Sequence, residues 1–200
     1  MPVAELAGIV EGHGDVEAVR VLMRRVAASV EPELAVRVAT VIRTPKSKLL
    51  KAGELERVVE LAARKLGRPG AVLVLLDSDA YCPAELGPEL LRRAASQRPD
   101  LPIGAVVAKH EFENWFIAAA RSLRGVRGLP DDLETPEEPE TIAGAKGWLS
   151  VRMPPGSPYS EAIHQPALTA RFDLPMAREA PSFDKAYREI QRLLLAARVP

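Results

Sequence analysis

The sequence predicts an α/β protein: a mainly parallel, Rossmann-like sheet of about four strands with helices on both faces. Three observations predict it. Ala71-Val72-Leu73-Val74-Leu75-Leu76 is an unbroken apolar run between Pro69-Gly70 and Asp77, the mark of a strand buried on both faces. Other short apolar runs alternate with stretches whose apolar residues recur at helical spacing, which is how parallel βαβ units read. Several of these runs also stop abruptly at carboxylates.

The elements follow in order. Leu6-Ala7-Gly8-Ile9-Val10 is a strand that ends at Glu11-Gly12-His13-Gly14-Asp15. Val19, Leu22, Met23 and Val26 then mark a helix, with Asp15 as its cap or in its first turn. Gly12-x-Gly14 lacks a third glycine and no Gly-Lys-Ser/Thr follows, so it is neither a dinucleotide fingerprint nor a Walker A loop. The glycines instead permit a tight turn and close backbone approach, and His13 reads as a solvated turn residue. Val36 to Ile42 forms a second strand. Arg43-Thr44-Pro45-Lys46-Ser47-Lys48 and Lys51 follow as a basic cluster without interspersed acids. It is either an exposed loop before a helix or a phosphate-contacting loop built on Arg43, Lys46, Lys48 and Lys51.

Leu55, Val58, Val59, Ala62 and Leu66 give an amphipathic helix ended by Gly67, and the Ala71–Leu76 strand follows. Beyond Asp77-Ser78-Asp79, Leu86, Leu90, Leu91 and Ala94 carry a helix with Pro88 expected in its first turn. Pro102 to Ala108 is the fourth strand, stopping at Lys109-His110-Glu111-Phe112-Glu113. Phe112, Trp115, Phe116, Ala119 and Leu123 make the next segment a helix whose aromatic face belongs to the core. The pattern changes after Gly125, where more than half of the 18 prolines lie. We therefore divide the chain into residues 1–125 and a loop-rich extension, 126–200. Asp131 to Glu140 reads as a mobile acidic loop without chemistry of its own. A last helix begins at about Ser182, with Phe183, Tyr187, Ile190 and Leu194 as the stripe that packs on the core.

Composition bounds the function. The 200 residues are 47% hydrophobic and carry 27 basic and 27 acidic side chains, so any polyanion site must be local. One cysteine, Cys82, excludes an intrachain disulfide or a cysteine zinc cluster and fits a reducing cytoplasm. Met1-Pro2-Val3-Ala4-Glu5 has no signal-peptide character, and no stretch is long and apolar enough for a membrane span.

Asp77 and Asp79, spaced i, i+2, leave their strand on one side. Taken alone they are either a shared cation site or a helix cap with a solvated neighbour. Context favours the cation. A parallel sheet gathers the carboxyl ends of its strands at one edge, which brings together Glu11, Asp77, Asp79, Glu111 and Glu113. Carboxylates gathered this way repel unless cations lie among them. One or two Mg²⁺ or Mn²⁺ ions would satisfy them, in the manner of in-line phosphodiester displacement.

These residues carry a resemblance. Ile9-Val10-Glu11-Gly12 with Asp15, then Asp77-Ser78-Asp79 after an apolar strand, resembles a Toprim domain, the metal-binding module of type IA topoisomerases, DnaG-type primases, RecR proteins and OLD-family nucleases. The resemblance covers roughly residues 5 to 125. Glu111-Phe112-Glu113-Asn114-Trp115 is more similar to the OLD-type branch. It is most similar to a bacterial Toprim-like family of uncharacterised proteins often encoded beside AAA-type ATPases, which the tail at Ser182-Phe183 also weakly resembles. The resemblance implies that Glu11 orients or coordinates metal and acts in acid–base chemistry. It further implies that Asp77 and Asp79 bind metal, that Glu111 or Glu113 completes the site, and that Asp15 is a further ligand. OLD-type nucleases pair the late Glu with a Lys two positions on, whereas position 113 here is Glu; Lys109 is the substitute that the sequence offers.

The leading expectation is a Mg²⁺- or Mn²⁺-dependent nuclease of DNA or RNA, with Glu11, Asp77 and Lys109 in catalysis. Balanced net charge implies weak binding alone. The resemblance adds a partner ATPase and a role in phage defence or DNA processing. A non-catalytic Toprim module and a small-phosphoester phosphohydrolase are the alternatives, and a homodimer is compatible with either.

Overall fold

The third strand sits where an all-apolar run must, in the middle of a sheet. The computed structural model describes residues 3–67 and 70–199. Met1, Pro2 and Pro69, on which parts of the sequence reading fall, lie outside the described residues. Strands β1 (Val3–Val10), β2 (Ala35–Arg43), β3 (Gly70–Asp77) and β4 (Ile103–Ala108) are mutually parallel in the order β2-β1-β3-β4. Every residue of β3 is buried, whereas β2, on the sheet's edge, is buried only in part. The registers Ile9↔Ile42, Ile9↔Val74 and Asp77↔Ala108 bring the carboxyl ends of all four strands to one edge.

Helices cover both faces, as the βαβ pattern predicts. Between β1 and β2 runs α1 (His13–Val30); α2 (Lys46–Leu49) and α3 (Glu54–Ala63) lie between β2 and β3, and α4 (Pro83–Gln97) between β3 and β4. On one face Leu55, Val58, Val59 and Leu90 pack on Ile9, Val72 and Val74. On the other, Leu22, Met23 and Val26 of α1 share a cluster with Leu6, Val10, Leu73 and Leu75.

Three expectations need correction. Pro83, not Pro88, starts α4. Its missing N–H costs nothing among the free donors of a first turn. Pro88 falls in the second turn on the exposed face, where water can satisfy the Ala84 carbonyl its ring leaves without a partner. The segment after β4 is only a short helix, α5 (Asn114–Ala118), continued by a 3₁₀ turn over Ala120–Leu123. Its aromatic residues are nevertheless core: Trp115 packs at 5.2 Å on Phe183, and Phe116 at 5.7 Å on Phe172.

Third, the region expected to be loop-rich holds α6 (Ala145–Ser150), α7 (Glu161–Thr169) and α8 (Leu174–Ala177) before the terminal α9 (Pro181–Ala196). Leu133, Leu149, Leu168, Phe172 and Phe183 join the same buried cluster as Leu6 and Leu22. Within the acidic segment Glu134 pairs with Arg121 at 2.8 Å. Helix α9 lies against β1, β3 and β4. Two residues beyond it, Arg198–Val199, form β5 antiparallel to Val3–Ala4, where β1 extends past the start of β3. No helix among the described residues is long and apolar enough to cross a membrane.

Helix α7 is seated on α1 by Gly14. A Cβ there would lie 2.7 Å from the Glu161 carbonyl oxygen and 2.9 Å from its carbon, closer than carbon atoms tolerate. Gly14→Ala should therefore destabilise the fold by about 1–3 kcal/mol through overpacking. Gly147→Ala in α6, where a Cβ meets nothing within 4 Å, should be neutral or stabilising by up to about 1 kcal/mol. Urea denaturation of the two variants beside the wild type checks the contrast.

Candidate functional site

The carboxyl edge is held in register by main-chain bonds that outrun the strands. Ser78 N–H donates to the Ala108 carbonyl at 2.8 Å and Asp79 N–H to the His110 carbonyl at 3.1 Å, while Ser78 Oγ accepts from His110 N–H at 2.8 Å. Asp79 and His110 both have left-handed backbones, at φ 47° and 60°. Asp and His tolerate that conformation better than most residues, and the bonds between the two loops keep it in place.

On this frame the first acids are fixed by backbone donors. Glu11 Oε1 accepts from Asp77 N–H at 2.7 Å, tying the ends of β1 and β3. Asp77 Oδ1 accepts from Phe112 N–H at 2.8 Å, tying β3 to the loop after β4. Asp15 lies in the first turn of α1, the second of the two places the sequence allows, and its Oδ2 accepts from the N–H of the cap residue Gly12 at 2.8 Å. Its other oxygen accepts from Gln165 Nε2 at 2.7 Å.

Two lysines lie among these acids. Lys46, only 8% exposed, donates to the Asp77 main-chain carbonyl at 2.9 Å, stands 3.6 Å from Glu11 Oε1 and pairs with Asp79. It is thus a buried member of the acidic edge, unlike its neighbours in the basic loop. The expected basic loop is in part regular structure: Arg43 ends β2, Lys48 lies in α2 and Lys51 follows it, all three exposed, with Lys48 3.8 Å from Glu54. Lys146 of α6 reaches Glu111 at 3.2 Å, Glu161 at 2.9 Å and Glu113 at 3.9 Å. Lys109 meets the site through its backbone: its N–H donates to Ser182 Oγ at 3.1 Å. Among the described residues its ammonium forms none of the ion pairs at this edge; Lys146 holds Glu111 instead.

Glu113 is fully buried. Tyr159 Oη donates to its Oε1 at 2.9 Å, and among the described residues its Oε2 has no hydrogen-bond partner. Burial pushes Glu113 up from an ordinary 4.5 to about 7, against the pull of Lys146 and Tyr159. Asp77 is held well above the usual carboxylate range by burial and by repulsion from Glu113, Asp15 and Glu11. Glu11 is raised by burial, opposed by the Asp77 N–H and Lys46. Burial works against the charge of Lys146, but Glu113, Glu161 and Asp77 hold it protonated beyond the usual lysine range.

Sequence reasoning missed Lys146, Tyr159 and Gln165. Glu161, Gln165 and Thr169 do recur at i, i+4, i+8, a polar stripe that puts Gln165 and Thr169 on the buried face of α7. Lys146 and Tyr159 carry no such signal. Asn114 and Ser182 stitch the extension to the edge. Asn114 Nδ2 donates to the carbonyls of Pro139 and Ile142 at 2.9 Å. Ser182 Oγ accepts from Trp115 Nε1 at 2.8 Å and donates to Glu140.

The donor set fits a hard divalent cation in chemistry and charge. Glu11, Asp15, Asp77 and Glu113 offer carboxylate oxygens, and the unpartnered Glu113 Oε2 has capacity to spare. As placed, however, no three His, Cys, Asp or Glu groups among the described residues surround a common point closely enough to hold an ion. The two ammonium groups lie among the carboxylates instead.

The family model described as Domain of unknown function (DUF4276) matches residues 10–191. No curated protein and no solved structure matches the chain.

The Glu113 shift has a pH consequence for the metal-free protein. Between its ordinary 4.5 and about 7, the folded state keeps a proton that the unfolded chain has released. Stability from this group is therefore full below the lower value and declines as pH rises through the window, by up to about 3 kcal/mol. Glu113→Gln, which keeps an acceptor for Tyr159, should flatten that decline. Urea midpoints at pH 5 and pH 8 in the presence of chelator measure it.

Proposed function

The chain belongs to the DUF4276 family, and we propose that it is a divalent-metal-dependent hydrolase of phosphodiesters in DNA or RNA, of the Toprim and OLD-like kind that its sequence resembles. One observation carries the reading. Asp77 at the end of β3 and Glu113 just before α5 are both buried and repel each other, and among the described residues one Glu113 oxygen lacks a hydrogen-bond partner. Buried carboxylates that repel each other are costly to a fold. Such an arrangement recurs where a ligand or cation repays the cost.

In this reading Asp77, Glu113, Glu11 and Asp15 hold one or two Mg²⁺ or Mn²⁺ ions, with Asp79 and Glu111 at the rim. When bound, the metal would supply Lewis-acid stabilisation of charge on the reacting phosphate. The protein's own residues supply position. Glu11 is fixed by the Asp77 N–H, and Asp77 by the Phe112 N–H, so neither carboxylate is free to swing. Asp15 is fixed at both oxygens. Arg43 at the end of β2, Lys48 in α2 and Lys51 just beyond it, all exposed, contact flanking phosphates. Arg43 is in register with Val10, one residue before Glu11, so this segment starts at the acidic edge.

With 27 basic and 27 acidic residues, affinity for nucleic acid is weak without a partner. A cytoplasmic setting, consistent with the single cysteine, and, on the resemblance alone, an AAA-type ATPase in phage defence or DNA processing complete the proposal.

A specific observation favours a second reading, a non-catalytic module that binds nucleic acid or protein. Lys46 and Lys146 already neutralise much of the acidic edge. One experiment separates the two. Plasmid, single-stranded DNA and RNA are incubated with Mg²⁺ or Mn²⁺ and wild type or Asp77→Asn, and nucleic-acid binding is measured alongside. The hydrolase reading expects cleavage by the wild type and a loss of roughly 10²-fold or more in the variant. Binding by both without cleavage by either would support the module instead.

A further inference from the structure

Lys146 stands where a cation would enter between Glu111 and Glu113. Its ammonium is 3.2 Å from Glu111 Oε1 and 2.9 Å from Glu161 Oε1. It lies 3.9 Å from the very Glu113 oxygen that has no hydrogen-bond partner. Its main-chain N–H also donates to Glu111 Oε2 at 3.2 Å, so the residue's backbone is anchored while its side chain reaches inward. At 3.9 Å an ammonium offsets charge but makes no hydrogen bond, and the Glu113 oxygen stays open to a closer donor or a metal.

We propose that Lys146 is a displaceable internal cation: it neutralises the Glu111–Glu113 side of the edge in the metal-free protein and withdraws when a divalent ion loads. The inference rests on the metal reading above and gives the extension a role within it, since α6 delivers the lysine and α7 its holding partner Glu161. A divalent ion and an ammonium seek the same carboxylate oxygens and repel each other, so the two compete. A lysine suits that exchange, being a compact charge on a flexible four-carbon stem without the rigid fork of arginine. The side chain of Lys146 is 36% exposed and has solvent to move into. Lys46 also faces proposed ligands, Glu11 and Asp79, but it differs in burial and in its main-chain anchor. It is buried and donates to a main-chain carbonyl that binding of an ion would not free, so it stays in place.

Because the ion must displace a tethered charge, its apparent affinity is the intrinsic one multiplied by the fraction of protein in which Lys146 is undocked. Mn²⁺ binding to the full chain is measured by calorimetry for wild type and Lys146→Met. The variant should bind about tenfold or more tightly, because the competing charge is gone. Amine acetylation read by peptide mass spectrometry gives a second measure, needing only wild type should the variant fold poorly. Saturating Mn²⁺ should raise labelling of Lys146 severalfold and leave Lys46 and the exposed Lys48 unchanged. Mn²⁺ binding with unaltered Lys146 labelling, or equal affinities in the two proteins, would overturn the proposal while the metal reading stands. Failure of Mn²⁺ to bind either protein would overturn the metal reading and this inference together.

Discussion

Burying carboxylates near one another is tolerable only where something positive or hydrogen-bonding meets them, and the carboxyl edge of this sheet is arranged around that constraint. Main-chain N–H groups take the first share: Gly12 for Asp15, Asp77 for Glu11, Phe112 for Asp77. Each bond also joins two strand ends or closes a helix, so neutralising the acid and fixing the topology are the same act. The remaining charge falls to Lys46 and Lys146. Glu113 is where the balance is poorest. It is fully buried, meets one hydroxyl and one distant ammonium, and titrates near neutrality as a result.

The extension belongs to this arrangement as much as the sheet does. Its apolar residues share a cluster with β1 and α1, while Lys146, Tyr159 and Gln165 turn inward to Glu111, Glu113 and Asp15. Ser182 at the start of α9 binds both Trp115 and the main chain at Lys109. Residues 126–200 thus wall the acidic edge on a second side.

Much of the fold was legible in the sequence because burial on two faces leaves a simple trace. The run from Ala71 to Leu76 could be little else than a central strand, and the carboxylates after Val10, Leu76 and Ala108 had to arrive at one edge once the strands were parallel. The helices α1, α3 and α9 were equally plain from their apolar stripes. The short pieces were not. α5, α6 and α8 are too brief to show a period, α7 shows only a polar stripe, and β5 is two residues that pair where β1 overhangs β3. Pro88 misled because a proline on an exposed helix face is tolerated where a buried one would not be.

The sequence by itself determined the sheet, its burial and the acids that its parallel strands deliver together, since these follow from local pattern and from chain direction. Only the tertiary structure decided which cations meet those acids. Lys46 was expected among the solvent-facing phosphate contacts and is instead buried beside Glu11, Asp77 and Asp79. Lys109, adjacent in sequence to the late acids, meets the site through its backbone. Lys146, more than thirty residues further on, takes the place between Glu111 and Glu113. A charge finds its partner through three-dimensional distance and exclusion of water, and neither is written in the spacing of residues along a chain.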